Sequence, residues 1–254
     1  MELFDLTSKV AIVTGGNGGI GLGMATGLAR AGANIAIAAR NPDKNAAAVK
    51  SLAALGVKAI AVSTDVTSSD SLAAMAESVQ QQLGGIDILI NNAGTNIRKR
   101  PENLALDEWH EVINTNLSSA FMCSKVCYPF MQQRGAGKVL NNGSMLSIFG
   151  SPWGSAYAAS KGGIVQLTKS LATAWAQDNI QVNCFLPGWI DTDLTIRARE
   201  EVDGLHDRVL SRTAAGRWGT TDDMQGIAVF LASSASNFVT GTAIPVDGGF
   251  SITV

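Results

Sequence analysis

The chain has 254 residues, 46% of them hydrophobic and 16% charged, and a formal net charge of -2. That length suits one large domain with a substantial core, and the near balance of charge supplies no broad basic field for nucleic acid, which leaves small molecules and further copies of the chain as expected partners. No apolar run reaches the roughly 20 residues of a bilayer span, and the opening MELFDLTSKV lacks the basic-then-apolar order of a signal peptide, so a cytoplasmic address is expected.

In chain order, KVAIVT reads as a first buried strand and 21–31 carries helical spacing. NIAIAAR is a second strand and 42–55 a second helix; KAIAVSTD is a third strand and 69–83 a third helix. GIDILINNAG follows as a strand, 106–134 as one long helix, GKVLNN as a strand, 156–177 as a helix and IQVNCFLPG as a strand. A last helix over 221–232 precedes a seventh strand in TAIPVDGG. Short aliphatic strands alternating with amphipathic helices predict an α/β class: a single-domain Rossmann fold over 1–254, with a doubly wound, seven-stranded, mostly parallel sheet and helices on both faces. The stretch 191–218 breaks the alternation, being polar and charged, and reads either as a solvated helix pair or as a flap over a substrate site.

The glycine cluster VTGGNGGIGLG, 13–23, lies between the first strand and the first helix. There glycines let the backbone approach a ligand, and the free N–H groups of the helix end receive a phosphate. A P-loop needs Lys and then Ser or Thr after its last glycine; here Leu22 and Gly23 follow Gly21, which argues against nucleoside triphosphate chemistry. The second strand ends in Ala39 and Arg40. Ala39 cannot accept from a ribose hydroxyl, whereas Arg40 can pair with a 2′-phosphate, so NADP is favoured over NAD.

In SAYAASKGG, 155–163, Tyr157 and Lys161 stand four places apart, which stacks them on one helix face. Cys123, Cys127 and Cys184 form no CxxC pair and have no neighbouring histidine, so they read as reduced, buried small hydrophobes and no metal site is expected. His110 and His206 are the only histidines, and no Gly-x-Ser-x-Gly elbow is present, which leaves little material for a covalent triad.

With these motifs together, the chain resembles the classical short-chain dehydrogenase/reductase family over essentially its full length. The cofactor motif Thr-Gly-x3-Gly-x-Gly stands as Thr14, Gly15, Gly19 and Gly21, and the adenine-contacting aspartate as Asp65. The Asn-Asn-Ala-Gly motif is 91–94, the helix asparagine Asn116, the serine Ser144, the Tyr-x3-Lys pair Tyr157 and Lys161, and the proline-glycine turn PGWIDT 187–192. Three residues between the first two motif glycines point to classical members of the family.

The resemblance implies a catalytic set of Asn116, Ser144, Tyr157 and Lys161. It implies nucleotide contacts from Gly15, Asn17, Gly19, Ile20, Gly21, Arg40, Asp65, Val66, Asn92, Ala93, Gly94, Tyr157, Lys161, Pro187, Gly188, Ile190 and Thr192. A phenol with an ordinary pKa near 10 is a poor base at neutral pH, so Lys161 is expected to lower it. Asn116 is expected to hold a water in a proton relay, and Ser144 to donate to the substrate oxygen.

Around the mouth, Arg98, Lys99, Arg100, Arg197, Arg199 and Arg212 invite an anionic substrate, whereas Leu146, Trp153 and Trp189 suit an apolar one. The loop motifs are similar to those of gluconate 5-dehydrogenases and deoxygluconate dehydrogenases. The expected activity is NADP-linked interconversion of a secondary alcohol and a ketone on a sugar acid, with NAD a possible cofactor; a broad ketone or 3-oxoacyl thioester reductase and a non-catalytic redox sensor are the alternatives. The family further implies a homotetramer.

Overall fold

The computed structural model describes residues 2–254. Seven strands form one sheet: β1 (Val10–Thr14), β2 (Asn34–Ala39), β3 (Ala59–Ser63), β4 (Ile88–Asn91), β5 (Gly137–Asn142), β6 (Ile180–Pro187) and β7 (Ala243–Val246). Their order is β3-β2-β1-β4-β5-β6-β7, and every pairing is parallel. Parallel strands need covering on both faces, which is why β1 and β6 are buried along their whole length.

Alternate residues of a strand feed opposite layers. Ala11, Val13, Ile35 and Ile37 pack with Met24, Leu28 and Leu52 of helices α1 (Gly19–Arg30) and α2 (Pro42–Ala53) and with Leu231 of α9 (Gln225–Ala232). Val10, Ile12, Ala36 and Ala38 pack with Leu72, Met75, Cys127 and Leu171 of α3 (Ser69–Leu83), α5 (Ser119–Gln133) and α6 (Ser155–Trp175). Polar groups fix the helix starts: the Asn41 side chain accepts from Lys44 N at 2.9 Å with Pro42 in the first turn, and Ser68 accepts from Ser71 N at 3.3 Å.

The long helix expected over 106–134 is divided. Helix α4 (Leu106–Ile113) runs into a wide turn over Asn114–Ser118 before α5 begins. Single wide turns of this kind occur inside α-helices, and this one holds Asn116, whose side chain bonds to groups outside the helix, as described below. The last expected helix likewise begins with a tight turn, Thr221–Met224, before α9.

Residues 191–218 form α7 (Asp193–Glu201) and α8 (Leu205–Arg212). They gather a small apolar cluster of their own, Ala198, Leu205, Val209 and Trp218, apart from the two main layers. The three cysteines are free and buried, and burial pushes the thiols of Cys123 and Cys184 up to about 12. Among the described residues no helix is long and apolar enough to cross a membrane.

Candidate active site

Strand order reverses at β1, which has β2 on one side and β4 on the other, and a crevice opens there at the carboxyl ends of the strands. A cavity of about 670 Å³ occupies that end of the sheet. Its floor on the β1 side is the glycine loop. Gly19 has φ +51, and a Cβ on Gly21 would lie 2.4 Å from Asn92 Nδ2 and 2.6 Å from Gly15 O. Only glycine fits both places, and the residue that caps helix α1, Gly18, supplies no side-chain cap. The first N–H groups of α1 are therefore bare toward the cavity, the arrangement that suits a pyrophosphate.

The loop after β4 is clamped to this cradle. Thr14 Oγ1 accepts from Asn92 N (3.0 Å) and Ala93 N (3.1 Å), and Asn92 Nδ2 donates to Thr14 O at 3.0 Å. At the far end, Arg40 is exposed just beyond β2, and Asp65 and Val66 follow β3. Asp65 accepts from Thr67 N and Oγ1 at 2.9 and 2.7 Å; those bonds, with a smaller contribution from Arg40, lower its pKa.

Tyr157 and Lys161 stand on the first two turns of α6, facing Ser144 just past β5, and all three line the cavity. Ser144 Oγ accepts from Leu146 N at 3.1 Å. Ser147 Oγ accepts from Ser144 N at 3.1 Å and donates to Lys161 O at 2.8 Å, so one hydroxyl ties the serine loop to the lysine's turn. Lys161 is 3% exposed; its Nζ donates to Asn142 O at 2.6 Å and lies 5.6 Å from the Tyr157 ring centroid.

In the protein alone burial raises the Tyr157 pKa, opposed only in part by a bond with the Ser144 hydroxyl and by the charge of Arg98. The Lys161 ammonium is drawn to the Asn142 carbonyl. Burial also pushes Lys161 itself down, to about 8, so at pH 7 it remains largely protonated.

Asn116 is buried but does not line the cavity. Its Nδ2 donates to Thr95 O (2.9 Å) and Ser160 Oγ (3.0 Å), and its Oδ1 accepts from Thr95 N (2.8 Å). The Asn116 side chain thus joins the β4 loop to α6.

Of the other expected contacts, Asn17, Gly19, Ile20, Asn92, Gly94, Pro187, Gly188, Ile190 and Thr192 line the cavity, and so do Arg98, Leu146, Trp153 and Trp189. Gly15, Gly21, Arg40, Asp65, Val66 and Ala93 lie behind or beyond its wall. Of the six mouth cations, only Arg98 and Arg212 line it: Lys99 and Arg100 pair with Glu108 and Glu102, while Arg199 pairs with Asp191 and lies 4.4 Å from the Trp218 ring. Lys44, Asn142 and Arg208 line the cavity without having been singled out from the sequence. Lys44 had a faint signal in its position one turn after Arg40, and Asn142 in the doubled asparagine before Gly143.

A phenol, a hydroxyl and an ammonium converging beside a glycine-lined helix end define a class, the nicotinamide-nucleotide-dependent oxidoreductases. Comparison with known proteins agrees. A family model described as enoyl-(acyl carrier protein) reductase matches residues 15–251. The chain is 40% identical to a 2-dehydro-3-deoxy-D-gluconate 5-dehydrogenase of Formosa agariphila, covering 100% of this chain and 97% of that one. It is 38% identical to a gluconate 5-dehydrogenase of Gluconobacter oxydans, covering 100% of this chain and 98% of that one. A crystal structure of a gluconate 5-dehydrogenase from Burkholderia cenocepacia, in complex with NADP and tartrate, superposes with a TM-score of 0.94 at 38% identity, covering 100% of this chain and 99% of that one. The chain belongs to the short-chain dehydrogenase/reductase family, and it is an NAD(P)-dependent oxidoreductase.

Proposed function

We propose that the protein is an NADP-dependent dehydrogenase that interconverts a secondary alcohol and a ketone on a sugar acid of the gluconate and ketogluconate type. The observation that carries this reading is the convergence of Tyr157, Ser144 and Lys161 on one cavity that also holds the glycine cradle and the guanidinium groups of Arg98 and Arg212. The names of the relatives support the substrate, and Arg40 beyond β2 supports the 2′-phosphate.

The nicotinamide, when bound, supplies or accepts the hydride. The chain's own groups manage the oxygen. Burial keeps the proton on the Tyr157 phenol, so in the reducing direction a general acid is ready for the developing alkoxide. In the protein alone the Ser144 hydroxyl bonds the Tyr157 phenol; a substrate oxygen seated between the two would take the Ser144 O–H in its place and be oriented by it. Lys161 uses one of three donors on Asn142 O, and the others are free for ribose hydroxyls. Asn116 acts here as a positioning residue, holding the β4 loop and α6 in register through Thr95 and Ser160.

Under this reading 191–218 is a substrate-binding flap of one domain spanning 1–254. The protein works in the cytoplasm as a homotetramer, supported by three thiols left free and by exposed apolar residues such as Phe121 on α5. A second reading, reduction of broader ketones, draws support from the apolar wall of Leu146, Phe149, Trp189 and Phe250. Turnover of 5-ketogluconate, an aromatic ketone and an acetoacetyl thioester, each with NADPH, separates the two. The sugar acid reading expects the first to be preferred, preference for either of the others overturns it, and absence of turnover on all three favours a sensor.

A further inference from the structure

Arg98 is the guanidinium that the sequence offers most directly to an anionic substrate, but the fold engages its charge elsewhere. Arg98 Nη1 donates to Glu201 Oε2 of α7 at 2.8 Å, and Nη2 reaches Leu194 O at 3.5 Å. Two of the Arg98 donors are thereby directed at α7 and away from a ligand in the cavity. Across the cavity, α8 presents two cations one turn apart, Arg208 and Arg212, both on the lining. Neither takes part in any ion pair among the described residues.

Arg212 is held in place without being satisfied. Its guanidinium carbon lies 4.8 Å from the Phe149 ring centroid and 4.4 Å from that of Phe250, so two aromatic faces fix the fork. Its Nε is buried with no hydrogen-bond partner. An orphaned buried donor on a positioned cation is relieved by an acceptor that arrives with the ligand.

We propose that Arg212, with Arg208 as a second cation, binds the carboxylate of the substrate, and that Arg98 instead ties the flap to the loop after β4. This inference rests on the sugar acid reading and names the residue that would give the site its preference for an acid.

The test compares gluconate with its uncharged amide, gluconamide, in NADP-linked oxidation by the wild type, Arg212→Gln, Arg212→Lys, Arg208→Gln and Arg98→Gln. The ratio of the two kcat/KM values is read on one sample, so partial unfolding of a variant leaves it unaffected. The wild type should favour gluconate by about 10- to 100-fold, the range of a charge-assisted bond. Arg212→Gln should bring the ratio to about twofold or less, mostly through KM, Arg212→Lys should restore part of it, and Arg208→Gln should lower it less. Arg98→Gln should leave the preference in place. If Arg98→Gln erases the preference and Arg212→Gln keeps it, the inference is overturned and the sugar acid reading survives. A wild type that oxidises both compounds equally overturns both.

Discussion

The cavity has two walls held by different physics. On the sheet side, Tyr157 and Lys161 stand on α6 and Ser144 just past β5, among residues such as Ile164, Cys184 and Leu186 that are at most 2% exposed. On the other side, α7 and α8 bury only Ala198, Leu205 and Val209, which pack with Trp218. Their ties to the body include two solvent-touched ion pairs, Arg98–Glu201 at 2.8 Å and Lys44–Asp193 at 3.3 Å. Groups that must meet reacting atoms within tenths of an ångström are mounted on the packed core. Under the proposed function, the groups that would admit or refuse a substrate stand on the wall with the smaller buried core.

That contrast can be broken or sharpened by four substitutions. The largest effect is expected in the sheet: Ile12→Ala, at a fully buried site of β1, should cost about 2–5 kcal/mol in denaturant unfolding while leaving KM for the substrate within about twofold. An equal loss of stability from Leu205→Ala would erase the distinction between the walls. Next, Ser144→Ala should lower kcat by about 10²–10³, or about 2.7–4 kcal/mol of transition-state stabilisation, with little change in unfolding. A fall confined to KM would remove its assigned role at the substrate oxygen. The smallest effect belongs to the flap: Glu201→Gln should change stability by only about 0.2–1 kcal/mol. Amide exchange over 191–218 should nevertheless quicken, and exchange unchanged there would mean that the ion pair does not hold the flap.

Much of this arrangement is legible in the chain because it is local. Runs such as VAIVT and IQVNCFLP announce strands buried on both faces, and the glycine cluster announces a backbone that must come close to a ligand. The wide turn at Asn114–Ser118 is not legible, and neither are the bonds that join its Asn116 to Thr95 and Ser160, which are distant in sequence. Nor is the pairing of Arg98 with Glu201, residues far apart in the chain that meet only once α7 folds back over the cavity. The phenol shows the same limit most plainly. Spacing puts Tyr157 and Lys161 on one face, but only the fold shows the ammonium turned to Asn142 O and the phenol governed by burial.

The most direct test is an ultraviolet titration of tyrosine ionisation in the protein with and without NADP⁺, using Tyr157→Phe to subtract Tyr128, the only other tyrosine. In the free protein the Tyr157 phenol should titrate above its ordinary value near 10, because burial favours the neutral form; with the oxidised nucleotide bound, whose ring is cationic, its midpoint should fall. A midpoint below 10 in the free protein, or one that NADP⁺ leaves unmoved, would contradict the account.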